Sequence, residues 1–132
     1  MTMRTVLAMT AAATALAGAA GAAQAQGAPG GDAAKGLATF KMQCTACHSA
    51  DPGVEGAAPN LRGVIGRKAG SDPKFTAYTP AIKASHIDWT ASKLDQFLSG
   101  PAKLIPGTAM PINIPDAKTR KDVVAYLVSL KR

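Results

Sequence analysis

Apolar side chains recur every three or four residues in three separate stretches of this 132-residue chain. That spacing places them on one face of an α-helix, because a helix makes one turn in about 3.6 residues. Each stretch therefore predicts one helix with a buried face. The three faces are Gly36, Phe40 and Cys44; Leu94, Phe97 and Leu98; and Val123, Tyr126, Leu127 and Leu130.

Capping residues and prolines predict where the helices begin. The predicted starts are about Asp32, Thr79-Pro80, Thr90 and after Pro115-Asp116. The helix at Thr79-Pro80 is short and ends near Ser85, and Gly100-Pro101 stops the next one. Asp51 to Lys74 carries Gly, Pro and Asn at close intervals and is predicted to be an extended loop. No stretch alternates as a strand would, so the expected fold is all-α, with three main helices, a short one and long loops.

Five residues carry the clearest chemistry of the chain: Cys44-Thr45-Ala46-Cys47-His48. A C-x-x-C-H run is typical of covalent haem attachment, in which two thiols one helical turn apart form thioethers with the haem vinyl groups. The adjacent His48 then offers an imidazole nitrogen to the iron. Other interpretations are weaker. A structural zinc site needs four ligands, a redox pair needs a βαβ context, and a plain disulfide leaves His48 unexplained.

The first 25 residues are predicted to be a cleaved secretory signal peptide. Arg4 supplies its positive charge, Val6 to Ala20 its apolar stretch, and Ala23-Gln24-Ala25 an A-x-A cleavage site. An uncleaved anchor is the less favoured alternative, because the apolar stretch is short and weakly hydrophobic. Cleavage leaves one exported domain of 107 residues, 26–132. We therefore expect a periplasmic protein.

Composition and charge add two constraints. Aromatic residues make up only 5% of the chain, which also has 13 Gly and 9 Pro, so a bound cofactor is expected to complete a small core. Without the predicted signal peptide, 14 basic and 8 acidic residues give a net charge of +6. A basic surface suits acidic proteins, anionic membranes or nucleic acid, or serves solubility alone. We expect no nucleic-acid partner, because an exported chain without a basic-aromatic repeat does not fit one.

A haem ligated by His48 needs a second ligand or keeps one face open. The methionines of the predicted signal peptide leave with it, and Met42 lies beside the attachment edge. The remaining candidates are Met110 and His86. Met110 is favoured, because it lies in a proline-bracketed loop with no evident packing role and because Met/His ligation is typical of electron-transfer haem proteins. Such ligation leaves no open site for oxygen or peroxide.

With these residues in order, the chain resembles class I c-type cytochromes of the bacterial branch closest to mitochondrial cytochrome c. The resemblance runs from about Gly31 to Leu130 and implies the cytochrome c fold, wrapped around one covalently attached haem c. The matching segments are Gly31-Asp32-Ala33-Ala34-Lys35-Gly36 with Phe40, Ala58-Pro59-Asn60-Leu61, Gly63-Val64-Ile65-Gly66-Arg67-Lys68-Ala69-Gly70, Phe75, Tyr78-Thr79, Trp89, Pro106-Gly107-Thr108-Ala109-Met110 and Asp122-Val123-Val124-Ala125-Tyr126-Leu127.

The resemblance implies roles for individual residues. The two cysteines would hold the haem through thioethers, and His48 and Met110 would ligate its iron. The Pro59 carbonyl would accept a hydrogen bond from the second ring nitrogen of His48. Arg67 would offset propionate charge. The expected hydrogen-bonding partners of the inward propionate region are Tyr78, Thr79, Trp89 and Thr108.

The resemblance also bears on packing. Gly36 and Phe40 would cross the last helix near Val123 and Tyr126. Several positions depart from the mitochondrial pattern, in which polar, aromatic or docking residues stand there instead. The departing residues are Ile82, Phe97, Ala109 and Ile112. The polar contacts of the Met110 side and the docking partner of the mitochondrial branch therefore do not carry over, and Ala109 and Ile112 favour a docking face more apolar than the mitochondrial one.

The leading functional interpretation is a one-electron carrier, not an enzyme. By resemblance, its partners would be a cytochrome bc1-type donor and a terminal oxidase or reductase. We expect a monomer with no stable membrane insertion. Two alternatives stay open: a dedicated acceptor for one periplasmic dehydrogenase, and a ligand-binding or peroxidase-like haem protein with a labile sixth position. The lysines expected around the exposed haem edge are Lys41, Lys103, Lys118 and Lys121.

Overall fold

Helices and long loops make up the structure, a computed structural model that describes residues 30–131. The helices are α1 (Ala33–Gln43), α2 (Pro80–Ala84), α3 (Ala91–Ser99), α4 (Pro101–Leu104) and α5 (Ala117–Ser129). Between residues 30 and 131 the only β pairing is an isolated antiparallel bridge between Lys68 and Asp88. None of these helices is long and apolar enough to cross a membrane. The predicted signal peptide lies outside the described residues.

Side-chain caps begin four of the helices at the predicted residues. Asp32 accepts from the Ala34 amide at 2.9 Å, and Asp116 accepts from the Thr119 amide at 2.7 Å. The Thr79 and Thr90 hydroxyls cap α2 and α3 in the same way. Each cap satisfies an amide that has no partner within its own helix. The predicted all-α fold with an extended loop over residues 51–74 is confirmed.

The short helix α4 was not predicted, because Gly100-Pro101 is typical of the end of a helix. The Gly100 amide still donates to the Phe97 carbonyl at 3.1 Å, which closes α3. Its backbone is then extended, with φ −178°, and turns the chain away. Pro101 occupies the first position of α4, where its missing N–H costs nothing. The same dipeptide therefore ends one helix and starts the next.

Helix α1 packs closely on α5 at Gly36. A Cβ built at Gly36 would overlap the Asp122 carbonyl and come within 2.9 Å of the Tyr126 Cβ. One turn along α1, the Phe40 ring lies 5.2 Å from the Tyr126 ring, centroid to centroid. The predicted crossing of these two helices is confirmed. Glycine is required here because the two backbones approach too closely for any side chain.

The buried core joins this helix pair to α3. Phe40, Val123 and Val124 are almost fully buried, at 2%, 1% and 1% exposure. Trp89 and Phe97 meet edge to face, with ring centroids 5.1 Å apart. Partly buried apolar side chains pack against this cluster. They include Cys44, Leu61, Ala81, Ile82, Ile87, Leu104 and Met110.

A buried carboxylate ties the start of α1 to α5. Asp122 accepts a hydrogen bond from the Asp32 amide at 2.7 Å, and it forms an ion pair with the Lys118 ammonium at 3.2 Å. The amide lies in the chain just before α1, whereas Asp122 lies in the middle of α5. This contact therefore fixes the register of the two helices beside the Gly36 crossing.

A substitution at Gly36 tests how closely the two helices pack. Gly36→Ala should destabilise the protein by about 1–3 kcal/mol, the usual range for an overpacked core, although Ala is the better helix former. Ala38→Gly, at an exposed position of the same helix, should cost only about 1 kcal/mol. Guanidinium chloride unfolding followed by circular dichroism measures both. A Gly36→Ala protein as stable as the wild type would contradict the close crossing.

Acid should weaken the Asp122 contact. The pKa of Asp122 is held below its ordinary value of 3.8, chiefly by the hydrogen bond from the Asp32 amide. The stabilising contact is therefore complete above that ordinary value and is lost as the pH falls through the lower folded pKa. Asp122→Asn should remove this part of the acid sensitivity of the unfolding midpoint.

The control for this test is Asp88→Asn. Asp88 makes an exposed ion pair with Lys68 at 3.0 Å, so the substitution removes the same formal charge without touching α1 or α5. It should leave the acid dependence of the midpoint unchanged. If Asp122→Asn also keeps the wild-type dependence, the carboxylate does not contribute to stability through this contact.

Candidate haem site

The attachment motif extends α1 by one further turn. The Cys44 amide donates to the Phe40 carbonyl at 2.8 Å, and the His48 amide then donates to the Cys44 carbonyl at 2.8 Å. The two cysteines therefore lie about one turn apart. Both are free thiols; Cys44 is half-buried, whereas Cys47 is exposed. Burial raises the pKa of Cys44.

A single hydrogen bond orients the His48 ring. Its Nδ1 lies 2.7 Å from the Pro59 carbonyl oxygen. A carbonyl can only accept, so Nδ1 carries the proton and Nε2 keeps its lone pair in the neutral ring. Burial, as the largest cause, lowers the pKa of His48, and the nearby Arg67 adds to this effect, while the Pro59 contact opposes it. The imidazole is therefore neutral near pH 7 and able to bind a metal ion.

The segment that holds Pro59 is fixed beside the motif by its own backbone. The Ala58 amide donates to the Cys47 carbonyl at 2.9 Å, and the Leu61 amide donates to the Ser49 carbonyl at the same distance. Buried Asn60 then donates through its side-chain amide to two carbonyls of the preceding loop, those of Asp51 and Val54. The sequence motif that contains Asn60 did not predict this role.

Arg67 also holds the segment that contains Pro59. Its guanidinium donates to the Asn60 carbonyl at 2.7 Å and pairs with the Asp72 carboxylate at 3.1 Å. The two charged side chains are only 14% and 10% exposed. Asp72 was missed, because an acidic residue in an irregular loop gives no sequence signal for its partner. Arg67, for which the resemblance predicts a role opposite a propionate, is therefore already paired with a carboxylate of the chain itself.

Tyr78 and Thr79 lie close to this ion pair. Tyr78 is half-buried and meets the Phe75 ring edge on, with centroids 4.9 Å apart. Burial raises the pKa of Tyr78, whereas the Asp72 backbone and the Arg67 charge lower it. Thr79 accepts the Ile82 amide through its hydroxyl oxygen at 3.3 Å. Its hydroxyl proton is therefore still available to an acceptor.

Trp89 links the Arg67 segment to α3. The Trp89 amide donates to the Arg67 carbonyl at 2.9 Å, and the Gly66 amide donates to the Trp89 carbonyl at 2.8 Å. The Trp89 ring is buried against Phe97 of α3. Two of the predicted site residues, Arg67 and Trp89, are thus joined through their backbones.

Met110 lies in a loop that is anchored at both ends by buried isoleucines. Ile105 and Ile114 are each 3% exposed. The Met110 amide donates to the Thr108 hydroxyl oxygen at 3.3 Å, which leaves the Thr108 hydroxyl proton free to donate elsewhere. Met110 itself is half-buried against the same core as Cys44. The other candidate ligand, His86, is exposed and has a left-handed backbone, with φ 53°.

These donors fit a covalently held haem. The chain presents two free thiols one turn apart, a neutral imidazole with its Nε2 available and a half-buried thioether. Partly buried apolar side chains around the core suit a flat, apolar ring. The threonine hydroxyls and the Arg67–Asp72 pair provide polar groups beside it. The structure does not bring His86 into this set.

Comparison with known proteins agrees with this geometry. The cytochrome c family model matches residues 33–131. Cytochrome c of Tetrahymena pyriformis is 48% identical over 103 residues, covering 77% of this chain and 92% of the relative. Cytochrome c2 of Agrobacterium tumefaciens is 41% identical over 103 residues, covering 74% and 91%. Cytochrome c2 of Rhodopila globiformis is 38% identical over 105 residues, covering 79% and 98%.

The match spans most of the chain, and the relatives are covered almost end to end. The predicted resemblance and fold are confirmed. The chain belongs to the cytochrome c family, as a class I c-type cytochrome that carries covalently bound haem c, with the cysteines of its attachment motif at positions 44 and 47.

Proposed function

We propose that this monohaem cytochrome is a periplasmic one-electron carrier whose iron is ligated by His48 and Met110, and that it is not an enzyme. One observation carries the ligation: Met110 is half-buried against the core that Cys44 also contacts, whereas the alternative ligand His86 is exposed. His48 and Met110 would both bind the iron, which would leave no open site for small molecules. This favours electron transfer over peroxidase-like chemistry.

Bound haem supplies the Fe(II)/Fe(III) couple; the chain controls its surroundings. The Pro59 carbonyl holds the His48 ring in one tautomer and orientation, which leaves the Nε2 lone pair available to a metal ion. The soft thioether of Met110 favours the reduced state and raises the potential. Buried Trp89, Leu94 and Phe97 exclude water, which also disfavours the more highly charged oxidised state.

Polar residues are proposed to hold the propionate side. Thr79 and Thr108 each use the hydroxyl oxygen as an acceptor within the chain, so each retains one proton to donate. Tyr78 and Trp89 add an O–H and an N–H donor. Arg67 would supply positive charge there, but Asp72 at 3.1 Å offsets much of it. The site is therefore expected to be less positive than an unpaired arginine would make it.

Export and partners are proposed from the sequence. The predicted signal peptide directs the chain to the periplasm, where a cytochrome bc1-type donor and a terminal oxidase or reductase would exchange electrons with it. The predicted docking lysines Lys41, Lys103, Lys118 and Lys121 are all exposed. Of these four, Lys118 is already paired with Asp122. A monomer without stable membrane insertion or nucleic-acid binding completes the proposal.

Removing the Met110 thioether tests the ligation. In Met110→Ala, the near-infrared Met–Fe(III) charge-transfer band should disappear and the reduction potential should fall by more than about 59 mV, which is tenfold in a one-electron equilibrium. Met42→Ala is the matched control, because Met42 is 77% exposed and lies before the attachment motif. It should keep both the band and the potential. A band that persists in Met110→Ala would rule out Met110 as the ligand.

A pair of lysine variants on one helix tests docking. Lys41 lies in the last turn of α1 beside the motif, whereas Lys35 lies in the first turn. At low ionic strength Lys41→Gln should slow reduction of the oxidised protein by an acidic redox partner more than about twofold, and Lys35→Gln should have a smaller effect. Stopped-flow rates should fall as salt screens the charges. If the reduction rate does not depend on salt, the lysines do not steer docking and the net charge serves solubility only.

A further inference from the structure

We propose that Arg120 is a positioning residue for Met110, through a clamp formed by Arg120, Asp95, Ile114 and Pro115. The proposal rests on the ligation of the iron by Met110. The clamp joins α5, which carries Arg120, to α3, which carries Asp95, and to the segment by which the Met110 loop returns to α5.

The contacts of Arg120 are directed at this return segment. Its Nη1 donates to the Ile114 carbonyl at 2.9 Å and to the Pro115 carbonyl at 3.1 Å. Its Nε donates to the Asp95 carboxylate at 2.8 Å. The Arg120 side chain is only 13% exposed, against 37% for Asp95. Water therefore competes poorly with these contacts on the arginine side.

A guanidinium suits this role better than other cations. Its N–H groups point outward in one rigid plane, so a single side chain can bind a carboxylate on one edge and carbonyls on another. Asp95 holds the plane in place from α3. Both carbonyls then bind a charged donor, and such hydrogen bonds are stronger than those between neutral groups.

The peptide groups at Ile114 are held from two sides. The Ile114 amide donates to the Leu98 carbonyl of α3 at 2.7 Å, while its carbonyl accepts from Arg120. The Ile114 side chain is 3% exposed. Only three residues separate Ile114 from Met110, and Pro111, which restricts the backbone, is one of them. The position of Ile114 therefore limits how far Met110 can move from the iron.

Loosening the clamp should raise the fraction of molecules in which Met110 has left the iron. An added ligand binds that fraction, so its apparent affinity reports the opening equilibrium. Imidazole is the probe. It binds ferric haem and shifts the visible spectrum. The test compares haem-containing wild type, Arg120→Gln, Asp95→Asn and Met110→Ala.

Arg120→Gln should bind imidazole at least about tenfold more tightly than the wild type, because the loss of a charge-assisted hydrogen bond is of that size. Asp95→Asn should bind it more tightly by a smaller factor, about two- to fivefold. Amide hydrogen exchange should rise at Ile114 in both variants and stay unchanged at buried Val124 of α5. That pattern identifies local release of the loop.

Arg62→Gln is the matched control. Arg62 is a half-buried arginine that also donates to backbone carbonyls, those of Ala50 and Lys131, and neither of these residues lies in the Met110 loop. Its imidazole affinity should stay within about twofold of the wild type. An equal rise in Arg62→Gln, or a parallel rise of exchange at Val124, would indicate general loosening and overturn the clamp.

The outcomes separate the clamp from the ligation. If Met110→Ala keeps the wild-type spectrum and imidazole affinity, Met110 is not the ligand and both proposals fall. If Met110→Ala loses the Met–Fe(III) band but Arg120→Gln binds imidazole as the wild type does, ligation stands and the clamp is overturned. If Arg120→Gln does not fold, the Asp95→Asn variant decides. Wild-type imidazole affinity and wild-type exchange at Ile114 in Asp95→Asn would refute the clamp.

Discussion

The crossing of α1 and α5 at Gly36 is the contact on which the site depends. Helix α1 ends in the attachment motif, so its direction fixes where Cys44 and His48 lie. Helix α5 carries Asp122, which holds the start of α1, and Arg120, which holds the end of the Met110 loop. The two helices meet so closely that a single methyl group at residue 36 would overlap the α5 backbone. A shift of this pair would therefore move the groups proposed for both axial positions together, although one lies near the start of the described chain and the other near its end.

Two arginine–aspartate pairs fix the loops that the helices leave free. Arg67 pairs with Asp72 and donates to the Asn60 carbonyl, next to the Pro59 carbonyl that orients His48. Arg120 pairs with Asp95 and donates to the Ile114 and Pro115 carbonyls. Burying such a pair contributes little net stability, because both ions lose water. Its value lies in geometry: a guanidinium held by its own carboxylate presents fixed donors to backbone that has no regular secondary structure. In a chain with 13 Gly and 9 Pro, that kind of support takes the place of helix and sheet ladders.

Local chemistry explains what the sequence could predict. Helix starts at Asp32, Thr79, Thr90 and Asp116 were predictable, since a cap bonds to an amide two or three residues away. The attachment motif is likewise local, as is the proline-bracketed Met110. Helix α4 was missed because Gly-Pro suits both a stop and a start. Asp95 was missed because its partner, Arg120, lies 25 residues away in another helix. Asp72 was missed although Arg67 is only five residues away, because an irregular loop has no regular spacing that would predict the pair. The roles expected for Tyr78, Thr79, Trp89 and Thr108 toward a propionate stay predictions.

Two of the departures from the mitochondrial pattern have a common structural effect: they make the core more apolar. Phe97 is buried against Trp89, and Ile82 packs on the same core as Met110, so this core is apolar at positions where the mitochondrial pattern has polar side chains. An apolar interior cannot orient a loop through hydrogen bonds, because it has no donors to offer. The polar contacts lie instead along the loop backbone, where Arg67 and Arg120 donate to backbone carbonyls. In the proposed site, positional control and electronic control of the iron would thereby be separated: the apolar core would surround the thioether, and the arginines would hold the loop backbone in place. A substitution in the core should then act mainly on the potential, and one at the arginines mainly on how firmly the ligands stay bound.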